Sequence, residues 1–214
     1  MASQLVRRRR ELEDGAEHLG WKLGVGNEAG RKLAGTSGPL VGFFTDRNLL
    51  RPGATVEVGD MGLPLLEPEI AVFLGADPGP EPSREEALAA ITGIRPGLEL
   101  LDLQLDVVPD VERLVAENIF QRHMIYGPDV VRRGAETAHV EVRVSGGPED
   151  LVGQPEDQAE AIAYLARYLA AFDLSLSAGE IVMTGQVIDP QPIPPGTELE
   201  FDYGELGTIG LKTR

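Results

Sequence analysis

Apolar and polar positions along the chain change period several times, and those changes divide it into elements. Residues 3–18 have helical spacing and predict a helix. Segments 39–50 and 54–75 alternate turns with β-type runs, among them Thr55-Val56-Glu57-Val58 and Ile70-Ala71-Val72-Phe73-Leu74. After a Pro/Gly-rich loop at 77–82, Ser83 and Glu86 have capping-box spacing ahead of an Ala/Leu helix that ends near Thr92. Leu98 to Leu105 reads as a strand and Pro109 to Phe120 as a helix. Val140, Val142 and Val144 alternate with polar residues, as in a half-buried strand, until Gly146-Gly147-Pro148 breaks the chain. The strongest helical pattern runs from Pro155 to Phe172, with Ile162, Leu165, Leu169 and Phe172 on one face. Ile181 to Thr184, Leu199 to Tyr203 and Thr208 to Leu211 read as strands, and Asp189 to Gly196 as a Pro-rich connection.

This alternation is not a regular βαβ series, and no G-x-G-x-x-G follows a strand, so a dinucleotide fold is not expected. The pattern predicts a β-rich α+β fold with a few peripheral helices, residues 1–214 forming one domain. Composition is ordinary for a globular chain, with 42% hydrophobic and 25% charged residues. Cysteine is absent, which excludes disulfides, zinc–thiolate sites and a cysteine nucleophile. Arg7 to Arg10 are followed by Glu11, Glu13 and Asp14 rather than an apolar segment, which argues against a secretory signal. Arg7/Glu11 and Arg9/Glu13 fall near each other on a solvated helix face. No stretch is long enough for a membrane span. A cytoplasmic location is expected by elimination. The net charge of -16 disfavours nucleic acid and anionic membranes as partners.

The candidate chemistry lies in carboxylates. In Leu66-Glu67-Pro68-Glu69-Ile70 the two acids fall on one face of a strand, their Cα atoms roughly 6–7 Å apart. The strand beyond them is wholly apolar, and buried carboxylates must be paired, protonated or bound to metal. Pro68 lacks a ladder donor, which suits a strand start or an edge. Glu99 lies thirty residues beyond Glu69, a gap that fits a strand end, a turn, a helix and a return strand. Asp102 also qualifies for the third position. Three carboxylates with open positions suit Mg²⁺ or Mn²⁺. An E-x-E strand is also common as a solvent-facing stripe. Lys22, between Trp21 and Leu23, reads either as a snorkelling lysine or as a cation held near the acids. His18, His123 and His139 are scattered without ligand spacing, and no G-x-S-x-G is present.

An ordered set of segments resembles the fumarylacetoacetate hydrolase superfamily, in its 2-keto-4-pentenoate hydratase and 4-oxalocrotonate decarboxylase branch. The segments are Gly20-Trp21-Lys22-Leu23-Gly24, Glu67-Pro68-Glu69-Ile70-Ala71, Leu98-Glu99-Leu100-Leu101-Asp102 and Ala116-Glu117-Asn118. Ala178 to Gly185, Pro195-Gly196-Thr197 and Gly204-Glu205-Leu206-Gly207 complete the set. The resemblance implies a mixed β-roll with peripheral helices and one Mg²⁺ or Mn²⁺. It matches Glu67, Glu69 and Glu99 to the family's metal-binding acids and Lys22 to its active-site lysine. Thr184 and Gly185 match a turn that lines the substrate site.

The implied activity is a metal-dependent lyase: a hydratase converting a 2-hydroxy-2,4-dienoate, or its 2-oxo-enoate tautomer, to a 4-hydroxy-2-oxo acid. A 4-oxalocrotonate decarboxylase, an acylpyruvate-type C–C hydrolase and a non-catalytic metal-binding scaffold are the alternatives. The implied partners are a small 2-oxo acid and further copies of the chain, as a dimer or larger. Residues 1–19 form an N-terminal helix, shorter than the region typical hydratases carry. Where the branch usually has Asp-Ser-Arg, this chain has Asp102-Leu103-Gln104, and Gln186 stands where Ser or Thr usually follows the Thr-Gly turn. Residues 24–60 contain no histidine, unlike the hydrolase branch with its His-Glu lid dyad.

Overall fold

A computed structural model describes residues 1–26, 28–103, 110–127, 141–145 and 151–214. In chain order its helices and strands begin with α1 (Ala2–Glu13), β1 (His18–Gly24), α2 (Glu28–Ala34), β2 (Leu40–Thr45), β3 (Leu49–Leu50), β4 (Thr55–Val56) and β5 (Pro64–Leu74). Then come α3 (Arg84–Ala90), β6 (Ile91–Asp102), α4 (Val111–Ala116), β7 (Gln121–Tyr126), β8 (Val142–Ser145) and β9 (Val152–Gly153). The C-terminal part holds α5 (Gln158–Ala170), β10 (Ile181–Gln186), β11 (Gln191–Pro192), β12 (Glu198–Asp202) and β13 (Thr208–Thr213).

One sheet runs β2-β1-β10-β5-β6-β7-β3, with β11 also paired to β5; the other runs β4-β13-β12-β8-β9. In the larger sheet β1/β10 and β3/β7 are parallel and the other pairs antiparallel. Residues of both sheets join α3 and α5 in the main core, among them Leu66, Ile70, Leu98, Leu165, Leu199 and Phe201. This is the β-rich α+β architecture the hydrophobic pattern implies.

Local chemistry accounts for the helix ends. α1 stops at Glu13, five residues earlier than its spacing suggests, in a Schellman motif. Gly15 N–H donates to the Leu12 carbonyl and Ala16 N–H to that of Glu11, with Gly15 at φ +85°. His18 therefore opens β1 instead of ending the helix. The Ser83/Glu86 capping box forms as expected, Ser83 Oγ accepting from Glu86 N–H and Glu86 Oε2 from Ser83 N–H. α5 is capped by Asp157, which accepts from Ala159 and Glu160 N–H. Ile162, Leu165 and Leu169 are buried, whereas Phe172 lies beyond the helix end and is 40% exposed.

Further differences bear on the site. β6 starts at Ile91, directly after α3, and α4 ends at Ala116. Asn118, Ile119 and Phe120 then form a left-handed turn at φ +54° to +57°. Pro68 sits in the middle of a central strand, not at its start or at an edge. Its carbonyl accepts from Val187 N–H, so its missing donor faces the gap where β10 leaves β5 and β11 takes over. α2 has no counterpart among the elements expected from the sequence. Pro109, Val140, Gln104 and the Gly146-Gly147-Pro148 break lie outside the described residues, as does His139.

Candidate metal centre

β5 and β6 form a long antiparallel pair joined through α3, and their register brings the acids together. Glu67 faces Glu99 directly, and Glu69 faces Gly97. One carboxylate oxygen each from Glu67, Glu69 and Glu99 lies within 4.8 Å of the other two. All three residues are buried, Glu69 and Glu99 completely. Two such charges at that distance repel by roughly 3 kcal/mol at an effective dielectric near 20. Without a cation the site has to hold protons.

The ionisation of the three carboxyls reflects this. Burial pushes Glu67 up to about 8, with the charge of Glu99 adding to the rise and Lys22 opposing it. Burial, then the charges of Glu99 and Glu67, hold Glu69 well above the usual carboxylate range against Lys22 and the Gly185 N–H. Burial also raises Glu99, although the charge and hydrogen bond of Lys22, and the adjacent Glu69 carboxyl, lower it.

Lys22 is fully buried on β1 and donates from Nζ to Glu99 Oε1. It does not snorkel. Room for its stem comes from Gly42, its partner on β2: a Cβ there would sit 2.7 Å from Lys22 Cγ and 2.9 Å from Lys22 Cε. Gly185 N–H donates to Glu69 Oε2 at 2.9 Å and fixes that carboxylate's orientation. Glu69 Oε1 and Glu99 Oε2 are buried and have no N–H or O–H partner. A divalent cation suits these orphaned oxygens: the donors are all carboxylates, and three of them against Lys22 leave net negative charge. The donor set therefore fits Mg²⁺ or Mn²⁺.

The remaining sequence candidates separate clearly. Asp102 does not enter the cluster; it accepts from Gly62 N–H at 2.8 Å and pairs with Arg122 at 2.7 Å. His18 Nε2 lies 3.1 Å from Glu180, and burial lowers His123. Neither belongs to the carboxylate cluster. Thr184 donates to the Ile70 carbonyl at 3.1 Å and lines a cleft of about 330 Å³ together with Leu23, Gly26, Arg31, Pro39 and Tyr164. Thr184 and Gly185 thus connect this cleft to Glu69. Gln186 pairs with Glu69 in the β10–β5 register.

Three residues near the centre carry no signal in the hydrophobic pattern. Tyr203, at the end of β12, donates from its hydroxyl to the Gly97 carbonyl at 2.6 Å and ties the second sheet to the β6 residue facing Glu69. Asn118 and Gln4 are buried beside β2. Asn118 lies within a segment of the family resemblance, but nothing in its spacing marks its partners.

Residues 24–212 match the family described as fumarylacetoacetate (FAA) hydrolase C-terminal. The chain belongs to the fumarylacetoacetate hydrolase family. Among characterised proteins, the 2-hydroxyhexa-2,4-dienoate hydratase of Comamonas testosteroni is 27% identical, over 92% of this chain and 79% of its own length. A 4-oxalocrotonate decarboxylase of Pseudomonas putida is 26% identical, covering 96% and 81%. The solved structure of 4-oxalocrotonate decarboxylase from Pseudomonas putida G7, complexed with magnesium and adipate, superposes with a TM-score of 0.90. It is 25% identical and covers 99% of this chain and 83% of that one. The curled sheet with peripheral helices is thus the family's fold, and the chain is an enzyme of the hydratase and decarboxylase branch. Among the described residues, no helix is long and apolar enough to cross a membrane.

Proposed function

We propose that the protein is a divalent-metal-dependent lyase that hydrates a 2-hydroxy-2,4-dienoate, through its 2-oxo-enoate tautomer, to a 4-hydroxy-2-oxo acid. The observation that carries this reading is the convergence of Glu67, Glu69 and Glu99 with two orphaned oxygens beside a buried lysine. In this reading Glu67, Glu69 and Glu99 hold Mg²⁺ or Mn²⁺, Lys22 is catalytic, and Thr184 and Gly185 bind substrate. A bound divalent cation supplies Lewis-acid stabilisation of negative charge on the substrate's C2 oxygen.

The chain's own groups do the rest. Lys22 Nζ holds a proton against Glu99 and stands ready to deliver it or to offset charge at the reacting end of the substrate. Gly185 N–H keeps Glu69 Oε2 occupied, which leaves Oε1 for the centre. The cleft lined by Thr184 gives the substrate's distal end room. Ala71, Met124 and Met183 pack as a fully buried apolar cluster and exclude water from that part of the sheet. Hydration adds the water oxygen at C4 of the enone and a proton at C3.

Decarboxylation of 4-oxalocrotonate is the second reading, favoured by the TM-score of 0.90 to a decarboxylase of that name. Both reactions need the same stabilised C2 oxygen. An absorbance assay separates them. Mg²⁺-dependent, EDTA-sensitive loss of the 2-hydroxypenta-2,4-dienoate signal, with 4-hydroxy-2-oxopentanoate formed, supports hydration. Carbon dioxide release from 2-oxo-3-hexenedioate supports decarboxylation, and pyruvate release from an acylpyruvate supports C–C hydrolysis. Intact Mg²⁺ affinity with no turnover of any 2-oxo acid supports a scaffold. Residues 1–214 acting as one catalytic domain, a cytoplasmic location and assembly as a dimer or larger belong to the same reading. They rest on the branch resemblance and on the acidic composition.

A further inference from the structure

β2 is the last strand of its sheet, so its outer backbone groups need partners from elsewhere. Two buried amide side chains supply them. Asn118 accepts from Phe43 N–H at 3.0 Å and donates to the Phe43 carbonyl at 2.7 Å, pairing with the strand much as another strand would. Gln4, from α1, donates to the Val41 carbonyl at 2.8 Å and to Asn118 Oδ1 at 2.9 Å. The second Asn118 donor goes to Gln121 Oε1 at 2.8 Å. Both donors and both acceptor sites of the Asn118 amide are therefore used.

The residue between Val41 and Phe43 is Gly42, the partner of Lys22. The space where a Gly42 Cβ would stand is bounded by Lys22 Cγ at 2.7 Å, Lys22 Cε at 2.9 Å and Asn118 Oδ1 at 3.0 Å. The lysine stem and the Asn118 amide thus share the space that Gly42 leaves open. Asn118 is held there by a turn in which Ile119 and Phe120 are also left-handed, a conformation that β-branched and bulky side chains resist. Such a turn persists only where its surroundings over-determine it.

We propose that Asn118, locked by Gln4 from α1, is the positioning residue for Lys22: it fixes the β2 edge at Phe43 and walls the Gly42 gap, so that the lysine stem has one path to Glu99. Its catalytic consequence rests on the function proposed above; its structural consequence does not. Gln4 lies before the matched family segment, and through its side chain α1 reaches the Asn118 amide beside Lys22.

The test follows the Lys22 amine by mass spectrometry during acetylation with acetic anhydride, in the full chain with and without Mg²⁺. Amide exchange in β5 and β6 is measured alongside as the readout of general opening. Gln4→Leu and Asn118→Leu are expected to acetylate Lys22 several-fold faster while β5 and β6 exchange stays unchanged. In turnover with the dienoate, kcat is expected to fall about ten- to hundredfold with KM and Mg²⁺ affinity retained. Arg9→Ala, on the exposed face of α1, should behave as wild type. If Asn118→Leu does not fold, Gln4→Leu alone decides the matter. Wild-type acetylation of Lys22 in a folded variant overturns the proposal, as does acetylation that rises only in step with β5 and β6 exchange. If the wild-type protein turns over no 2-oxo acid, the function proposed above fails and the acetylation result still decides the positioning role.

Discussion

Lys22 on β1 and Glu99 on β6 form a fully buried ion pair although β10 and β5 lie between their strands. In a flat sheet three strand spacings would part the two backbones by about 14 Å, more than the side chains span. The sheet curls so that its second and fifth strands, β1 and β6, face each other, and the carboxylates sit where the curl closes. Replacing Lys22 with Met keeps the stem and removes the charge. Mg²⁺ binding should persist, because the three carboxylates remain. Turnover should fall by about 10²-fold or more. Steady-state kinetics beside calorimetric Mg²⁺ titration checks this; an unchanged rate would return Lys22 to a packing role.

Glu69→Ala removes a carboxylate that burial and the charges of Glu99 and Glu67 disfavour in the metal-free protein. Mg²⁺ affinity and activity should both be lost. The metal-free melting temperature should hold or rise, because one repulsive partner of Glu67 and Glu99 is gone. Differential scanning calorimetry with and without Mg²⁺ checks both halves. A large fall in the metal-free melting temperature would mean that Glu69 is structural.

pH acts on the same groups. Glu67, Glu69 and Glu99 are all raised above the ordinary value of 4.5, Glu67 to about 8. Below pH 4.5 both folded and unfolded states hold these protons, and the advantage of the neutral folded site is complete. It is lost as pH rises through about 8, where the folded state must carry the Glu67 charge. Metal-free stability should therefore decline from pH 4.5 towards 8. Mg²⁺ affinity should climb over the same window, because the ion displaces those protons. Titrations at a series of pH values check it, and a flat affinity profile would contradict it.

Gly42→Ala tests the close packing beside Lys22. The added methyl meets two lysine carbons and the Asn118 oxygen at 3.0 Å or less. Overpacking of this kind costs about 1–3 kcal/mol. The stability loss should accompany a fall in kcat, with Mg²⁺ affinity preserved. Chemical denaturation and kinetics on one preparation measure both.

Much of the centre was legible in the sequence. A period of two puts Glu67 and Glu69 on one face, and the α3 capping box, Ser83 with Glu86, marks the crossover that returns Glu99. That Glu99 and not Asp102 completes the cluster depends on register, which fixes Glu67 opposite Glu99 and leaves Asp102 beside Arg122. Pro68 misleads because a local rule about missing donors does not see the handover from β10 to β11. The reading of residues 3–18 as one helix misses the Gly15 stop, since the charged pattern continues past it. Gly42, Asn118 and Gln4 were invisible as a group: their contacts join residues as far apart as 114 positions, and only the closed sheet edge creates the need for them.

The central claim is that three buried carboxylates gather one hard cation with positions left open for a chelating substrate. Crystals soaked with Mg²⁺ and oxalate, a stand-in for the 2-oxo carboxylate, test it most directly. One ion is expected at about 2.0–2.1 Å from an oxygen of each of Glu67, Glu69 and Glu99, with oxalate bidentate on its free positions. A cluster that stays metal-free at saturating Mg²⁺, or an ion bound away from Glu99, would contradict it.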